Sequence, residues 1–242
     1  GLILFSLSIY YFLKFERFNS LKYVWFTFFS LMLSAYISPN FSVFFLYYFF
    51  YFFKKLKFIS LMILSFFTCL AAIPAIYYIF VLEVNFLFSN TFDSDIVANN
   101  SLLLKFNISD KILIISSIIL FHLTPILAHK EIHNQFFRYI KKNLIIILIP
   151  LFIFFYLFAY KFFTGGGFFF QFSHMLFDNN YLFFIICFFS LSFIMYLSNL
   201  SIGNFLLIFL LILSNIQYSI YHKYYEPIIL IIFFTLFQNL DL

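Results

Sequence analysis

The chain has 242 residues, of which 65% are hydrophobic and only 10% are charged, and its mean hydropathy is +1.05. A soluble domain carries roughly a quarter charged residues, so this composition argues against a soluble protein and predicts an all-α, polytopic integral membrane protein. The formal charge of +5 does not indicate a nucleic-acid partner, because the basic residues are dispersed among loops that flank apolar segments.

Charged and turn-forming clusters divide the chain into nine predicted membrane segments, since a span takes roughly 20 apolar residues, or about 17 where the helix is short. In chain order the segments are 1–13, 22–37, 41–53, 58–82, 111–128, 144–160, 181–197, 205–214 and 227–242. The pair Ser109-Asp110 predicts a cap for the fifth segment. The chain begins at Gly1, inside an apolar run and without an initiator Met, so we expect a fragment or carboxy-terminal portion of a longer protein.

Basic residues predict the orientation of the segments through the positive-inside rule. The loops alternate between two sides of the membrane, and ten of the fourteen Lys and Arg residues fall in the set on one side, which is therefore predicted to be cytoplasmic. The predicted cytoplasmic loops are 14–22, 54–57, 129–143 and 198–204, and the predicted outer loops are 83–110, 161–180 and 215–226. The basic stretch 129–143 is also expected to form a short helix along the membrane surface. We therefore expect one multi-spanning domain over 1–242, in a bacterial inner membrane.

A polar and aromatic cluster, IQYSIYHKYYEP at 216–227, interrupts two strongly apolar runs. Its residues His222, Lys223, Tyr224, Tyr225 and Glu226 offer cations, a carboxylate and phenolic donors, a set suited to holding a phosphate or a sugar at the membrane surface. The alternative is interfacial anchoring, because Tyr, His and Lys favour the headgroup level for purely physical reasons.

Three consecutive glycines, Gly165, Gly166 and Gly167, form the second candidate element in a chain with only five glycines. They allow positive φ angles and a close approach of the backbone to a bound anion or a neighbouring helix. No strand precedes them and no Gly-Lys-Ser follows, so a nucleotide-binding loop is excluded. A re-entrant turn is the alternative interpretation.

The remaining candidates are weaker. Asp93 and Asp95 in the long outer loop could bind a divalent cation, although a solvated loop is the alternative. His122, inside the fifth segment, is expected to be a neutral histidine bonded to a neighbouring helix. Cys69 and Cys187 lie in apolar segments and predict reduced thiols rather than a metal framework. We expect no metal and no cofactor.

The His222-Lys223-Tyr224-Tyr225 sequence resembles a signature of some eukaryotic mannosyltransferases among the GT-C-type membrane glycosyltransferases, which reads His-Lys-Glu, an aromatic residue, then Arg-Phe. His222 and Lys223 match, Tyr224 replaces the Glu, Tyr225 fits the aromatic residue, and the Arg is missing. The match covers some six residues. The layout of many spans with long outer loops also resembles that family.

This resemblance implies transfer of a sugar from a polyprenyl-phosphate donor to a lipid or glycan acceptor on the outer face. Lys223 and His222 would hold the donor phosphate, Tyr224 and Tyr225 would line the acceptor groove, and the glycine loop would shape the cavity. The family's catalytic carboxylate lies in the first outer loop, so no catalytic base can be assigned here. The partners would be membrane lipids and the lipid-linked sugar. The alternative is a non-catalytic protein, either a glycan or lipid transporter or a structural subunit of a membrane complex.

Overall fold

A computed structural model of the chain describes residues 1–80, 108–160, 165–214 and 220–239. Every regular element in these ranges is a helix, which confirms the predicted all-α class for this part of the chain. The contacts divide the chain into two compact units, Gly1–Phe106 and Asn107–Leu242, where the sequence predicts one multi-spanning domain. Asp93 and Asp95 lie outside the described residues.

Aromatic packing organises the first unit. Its described helices are α1 (Leu2–Phe18), α2 (Leu21–Ile37), a 3-10 helix (Pro39–Phe44), α3 (Phe45–Phe53) and α4 (Phe58–Phe80). Phe5, Phe44, Tyr48 and Phe52 are almost fully buried. The Tyr48 hydroxyl lies 3.2 Å from the Ser8 hydroxyl, so the buried phenol has a hydrogen-bond partner. Of the phenylalanines described in this unit, seven are buried in its core and eight are exposed.

Helix α1 runs past its predicted end at Leu13 and stops at Phe18. Lys and Glu are good helix formers, so a charge cluster that would end an apolar membrane segment does not end the helix. The helix ends instead at Asn19, which adopts the left-handed conformation (φ 48°) and donates its N–H to the carbonyl of Phe15.

The second unit contains six described helices. They are α5 (Ile108–Leu127), α6 (Lys130–Leu157), α7 (Gly167–Phe177), α8 (Tyr181–Leu200), α9 (Ile202–Leu213) and α10 (His222–Leu236). The predicted cytoplasmic loop 129–143 is helical and forms the first half of α6, which is kinked at Asn143. Its expected position along the membrane surface stays a prediction. The predicted loop 198–204 is reduced to one extended residue, Ser201, whose hydroxyl accepts the N–H of Asn204 and caps α9.

Helices α5 and α6 form an antiparallel hairpin whose open end is tied by Ser109 and Asp110. The Asp110 carboxylate accepts the N–H of Ala159 at 3.0 Å, and the Ser109 hydroxyl donates to the carbonyl of Leu157 at 3.2 Å. The prediction that this pair caps α5 is wrong, because both residues lie in the first turn of a helix that begins at Ile108. They bind the end of α6 instead, where backbone groups have no partner within the helix.

Helices α5 and α8 approach closely through small side chains. Ser116 and Ser190 are fully buried, and their hydroxyl oxygens lie 3.1 Å apart across the interface. Cys187 is buried beside them and is a free thiol, as predicted, while the free thiol of Cys69 is exposed on α4. Small and hydroxyl-bearing residues at a contact of this kind are typical of helices packed within membranes.

Three described helices are long and apolar enough to cross a membrane: α5, α6 and α8. They correspond to the fifth, sixth and seventh predicted segments. The prediction of nine spans is not supported, because several of the predicted segments are short helices. At 1.5 Å per residue, α3 and α9, which cover most of the predicted segments 41–53 and 205–214, are roughly 14 and 18 Å long, well below the ~30 Å hydrocarbon core of a bilayer.

Candidate functional site

The glycine turn and the segment before α10 meet through a backbone hydrogen bond. Gly165, Gly166 and Gly167 have φ angles of +88°, +91° and +79°, a conformation that favours glycine. The N–H of Gly166 donates to the carbonyl of Ile220 at 2.8 Å. The N–H of Ile220 donates in turn to the Tyr160 hydroxyl at 3.3 Å. Both backbone polar groups of Ile220 are therefore held by the end of α6 and the start of α7.

This meeting point lies beside the middle of α5 and not beside either of its ends. A Cβ atom on Gly167 would approach Cγ1 of Ile118 to 3.0 Å, so the turn packs directly against that helix. The ring of Phe121 packs against Phe168 at 5.1 Å between centroids. Helix α7 begins at this turn and leads away from the middle of α5. The re-entrant turn, the alternative that the sequence left open, stays a prediction.

Helices α7 and α10 both begin at this point and run to opposite ends of the unit. Helix α7 leads to Tyr181 at the start of α8, where Phe184 stacks on Phe155 near the end of α6 at 4.2 Å between centroids. Helix α10 leads to Gln238, whose backbone N–H and carbonyl both bond the Asn204 side chain at 2.9 Å, near the start of α9. Two helix amino termini, where the first backbone N–H groups have no partner within their own helix and carry a partial positive charge, thus face one region.

Two histidines lie at this junction. The imidazole centroids of His122 on α5 and His222 on α10 are 4.6 Å apart, and the ring of Phe121 stands edge-on to both. Nε2 of His122 and Nδ1 of His222 are buried and have no hydrogen-bond partner among the described residues. Buried polar atoms in folded proteins are nearly always paired, so two orphaned nitrogens side by side indicate a place where a proton or a polar ligand binds.

The electrostatics of the pair depend on Glu226, one helical turn after His222. Burial lowers the pKa of His222, and the neighbouring His122 lowers it further, while the Glu226 carboxylate raises it. Helix α10 is not among the three candidate spans. The pKa of His222 is lowered overall, which keeps its imidazole neutral. A neutral imidazole can both donate and accept a hydrogen bond.

The predicted cluster His222 to Glu226 divides between two faces of α10. Lys223 and Tyr224 are exposed, and the Lys223 ammonium lies 5.2 Å from the centre of the Tyr224 ring and 5.9 Å from that of Tyr221. Lys223 makes no ion pair within the described residues. Tyr225 is only 4% exposed and packs inside the unit. A groove at this surface would therefore be lined by Tyr224 and not by Tyr225.

The glycines have packing roles that the sequence did not specify. A Cβ on Gly165 would lie 2.7 Å from the Ile220 carbonyl oxygen, and one on Gly166 would lie 2.4 Å from the Phe170 ring. Because the Gly166 N–H already binds Ile220, it is not available to a bound anion. The turn shapes the junction through close approach of backbone to backbone.

Sequence reasoning missed Tyr160 and gave His122 only a structural role. Tyr160 is one of 18 tyrosines in the chain, so its type carried no signal. The sequence did signal a functional role for His122, because it is a titratable side chain well inside an apolar segment. Its neighbour in space, His222, could not be identified without the depth at which α10 begins.

Metal binding is not supported by the described residues, in which no three His, Cys, Asp or Glu side chains come together. A small cavity between α5, α9 and α10, lined by residues such as Ile119, Leu207 and Phe233, exposes only apolar surface. It supplies no group for chemistry. The polar chemistry of the site therefore rests on the histidine pair, Glu226 and Lys223.

No protein-family model, curated protein or solved structure matches the chain.

Proposed function

We propose that this protein is a membrane glycosyltransferase of the GT-C type, which transfers a sugar from a lipid-phosphate donor to an acceptor on the outer face of the membrane. One observation carries the proposal. Helices α7 and α10 begin at one point beside the middle of α5, where two buried imidazole nitrogens have no partner among the residues that the structure describes. Helix amino termini and histidines are suited to a phosphate group, and the unpaired Lys223 supplies a full positive charge.

The proposed donor site divides the roles as follows. Lys223 attracts the donor phosphate as a point charge, and His222 donates a hydrogen bond to it. Tyr224 lines the groove for the acceptor, and the glycine turn fixes Ile220 and thereby the start of α10. Multi-pass insertion, the outward orientation of this site and a bacterial inner membrane as its location are part of the proposal. The catalytic base is not assigned to any residue of this chain.

The second candidate is a transporter for a glycan or a lipid. A specific observation favours it: transporters typically build their binding sites from interrupted helices whose ends meet near the middle of the membrane. Helices α7 and α10 have this arrangement relative to α5. In this function the junction would bind the same anionic headgroup but move it across the membrane without breaking a bond.

Reconstitution in proteoliposomes with a polyprenyl-phosphate sugar tests the proposal. The wild type should bind polyprenyl phosphate and transfer the sugar to an added acceptor, whereas Lys223→Met should weaken binding about tenfold or more. A hydrogen bond to a charged group contributes about 1.5 to 3 kcal/mol, and 1.4 kcal/mol corresponds to a factor of ten. Lys57→Met, at an exposed lysine of the first unit, is the control.

The outcomes separate the two functions. Sugar transfer that requires Lys223 supports the glycosyltransferase. Movement of the intact lipid between leaflets, with the sugar still attached, supports the transporter instead. If Lys223→Met bound polyprenyl phosphate as tightly as the wild type, this lysine would be an interfacial anchor and the proposed donor site would be wrong.

A further inference from the structure

The exposed face of α6 changes from basic to apolar at Asn143. The helix runs from Lys130 to Leu157, and Asn143 is its one residue with non-helical angles (φ −115°, ψ 19°). The Asn143 side chain donates to the carbonyl of Tyr139 at 3.1 Å, which satisfies a backbone group at the irregularity. The helix is kinked at this point, so the residues before Asn143 and those after it form two helical segments whose exposed faces differ.

The buried face of α6 is continuous through the change. Its buried residues recur at helical spacing on both sides of Asn143: Ile132, Phe136, Ile140, Ile147 and Leu151. The same side of the helix therefore packs against the unit along its whole length. Any difference in the exposed face reflects the surroundings of the protein and not a change in its core.

The exposed face is basic before Asn143 and apolar after it. Arg138, Lys141 and Lys142 are exposed on the side opposite the buried residues, and none of them forms an ion pair within the described residues. At the same spacing, the face continues with Ile145, which is 74% exposed, and Phe152, which is 66% exposed. Between 144 and 157 every exposed side chain is apolar or aromatic.

We infer that Asn143 marks the boundary between the headgroups and the hydrocarbon of one membrane leaflet, and that Arg138, Lys141 and Lys142 bind the phosphate groups of anionic phospholipids there. Three unpaired cations within about 8 Å of the boundary, measured along the helix axis, complement a negatively charged lipid surface. Long basic side chains near the end of an apolar segment reach the headgroups in this way. The inference is independent of the proposed reaction.

The direction of the helical segment before the kink decides whether Lys130 reaches the same lipids. Lys130 lies about 20 Å from Asn143 along the axis, because each residue advances the helix by 1.5 Å. A helix that crosses the boundary holds Lys130 in water beyond the headgroups. A helix that lies flat on the membrane, as the sequence alone predicts for 129–143, would bring Lys130 to the same lipids.

Electron spin resonance of spin-labelled lipids tests this inference on the whole chain, reconstituted in phosphatidylcholine vesicles. The probes are spin-labelled phosphatidylglycerol and spin-labelled phosphatidylcholine, and the measurement is their relative association with the protein. The wild type should prefer phosphatidylglycerol several-fold at low salt. The triple variant Arg138→Gln, Lys141→Gln, Lys142→Gln should approach equal association, and Lys130→Gln should match the wild type.

High salt gives an independent check, because the Debye length is only about 3 Å at 1 M. The wild-type preference should fall in high salt, whereas the triple variant should change little. An unchanged preference in the triple variant would overturn the lipid site. If Lys130→Gln lost the preference for phosphatidylglycerol as fully as the triple variant, the boundary at Asn143 would be wrong and the whole basic segment would lie flat on the membrane.

Discussion

The imidazole rings of His122 and His222 lie 4.6 Å apart, one inside the long helix α5 and the other in the first turn of α10. This contact requires α10 to begin inside the bundle, beside the interior of α5. The proposed donor site depends on this arrangement.

Replacement of Gly165 by alanine should destabilise the second unit. The residue has a φ of +88°, and an added Cβ would lie 2.7 Å from the backbone oxygen of Ile220. The left-handed conformation alone costs an L-residue roughly 1–2 kcal/mol, and the close contact adds to that cost. The measurement is the apparent melting temperature of the protein in detergent.

Gly203→Ala is the matched control for this prediction. An added Cβ at Gly203 meets nothing closer than 3.4 Å, and the residue lies in the first turn of α9. Alanine favours a helix over glycine by up to about 1 kcal/mol, so this variant should be neutral or slightly more stable. Equal destabilisation by the two substitutions would contradict the packing described for the glycine turn.

Tyr160→Phe should loosen the start of α10 without unfolding the unit. The variant removes the hydroxyl that accepts the N–H of Ile220. A buried hydrogen bond of this kind contributes about 1 kcal/mol. Hydrogen exchange at peptides that cover Ile220 and Gly166 should therefore become faster.

Tyr156→Phe provides the comparison for Tyr160. Tyr156 lies near the end of α6 and is 90% exposed, so loss of its hydroxyl should leave exchange at Ile220 unchanged. If Tyr160→Phe also left the exchange of Ile220 at the wild-type rate, the hydroxyl would have no part in fixing this segment.

The stability of the second unit should depend on pH through His222. Burial places the pKa of His222 below its ordinary value of 6.5 in the folded chain. The unfolded chain then binds more protons in the interval between the two values, so this contribution to stability is fully present above pH 6.5 and is lost as the pH falls through the lower, folded value. The Glu226 carboxylate raises the pKa of His222, so it narrows the pH interval between the folded and the unfolded value.

Melting temperatures between about pH 7.5 and about pH 5 measure this effect, since histidine is the side chain that titrates there. The variant His222→Gln should show a weaker decline toward low pH than the wild type. The exposed His133 offers the control, and His133→Gln should retain the wild-type decline. A decline identical in all three proteins would exclude His222 as its source.

Sequence patterns predicted the helices α5, α6 and α8 because each contains a long apolar run between polar clusters. The same patterns misjudged the end of α1, where Lys14 continues the helix beyond the predicted apolar segment. Hydropathy reports the surroundings of a residue, whereas helix formation depends on backbone hydrogen bonds that charged residues also support.

The junction at Gly166 could be predicted only in part. The three glycines and the polar cluster at His222 to Glu226 were both identifiable as interruptions, and the resemblance implied that both contribute to one cavity. Their depth beside Ile118 was not identifiable, because the Gly166 N–H bonds the backbone carbonyl of Ile220, and the apolar side chain of Ile220 gives no signal of that bond. The roles of Tyr160 and Tyr225 depend on this depth, so residue type alone could not assign them.

The contact between His122 and His222 tests the account most directly, and the chain contains only five histidines. Solid-state NMR of histidine-labelled protein in lipid bilayers should show a ring-to-ring cross-peak that disappears in both His122→Gln and His222→Gln and persists in His174→Gln. This result requires α10 to begin beside the interior of α5. A spectrum in which no cross-peak depends on both His122 and His222 would place α10 elsewhere and would contradict the proposed site.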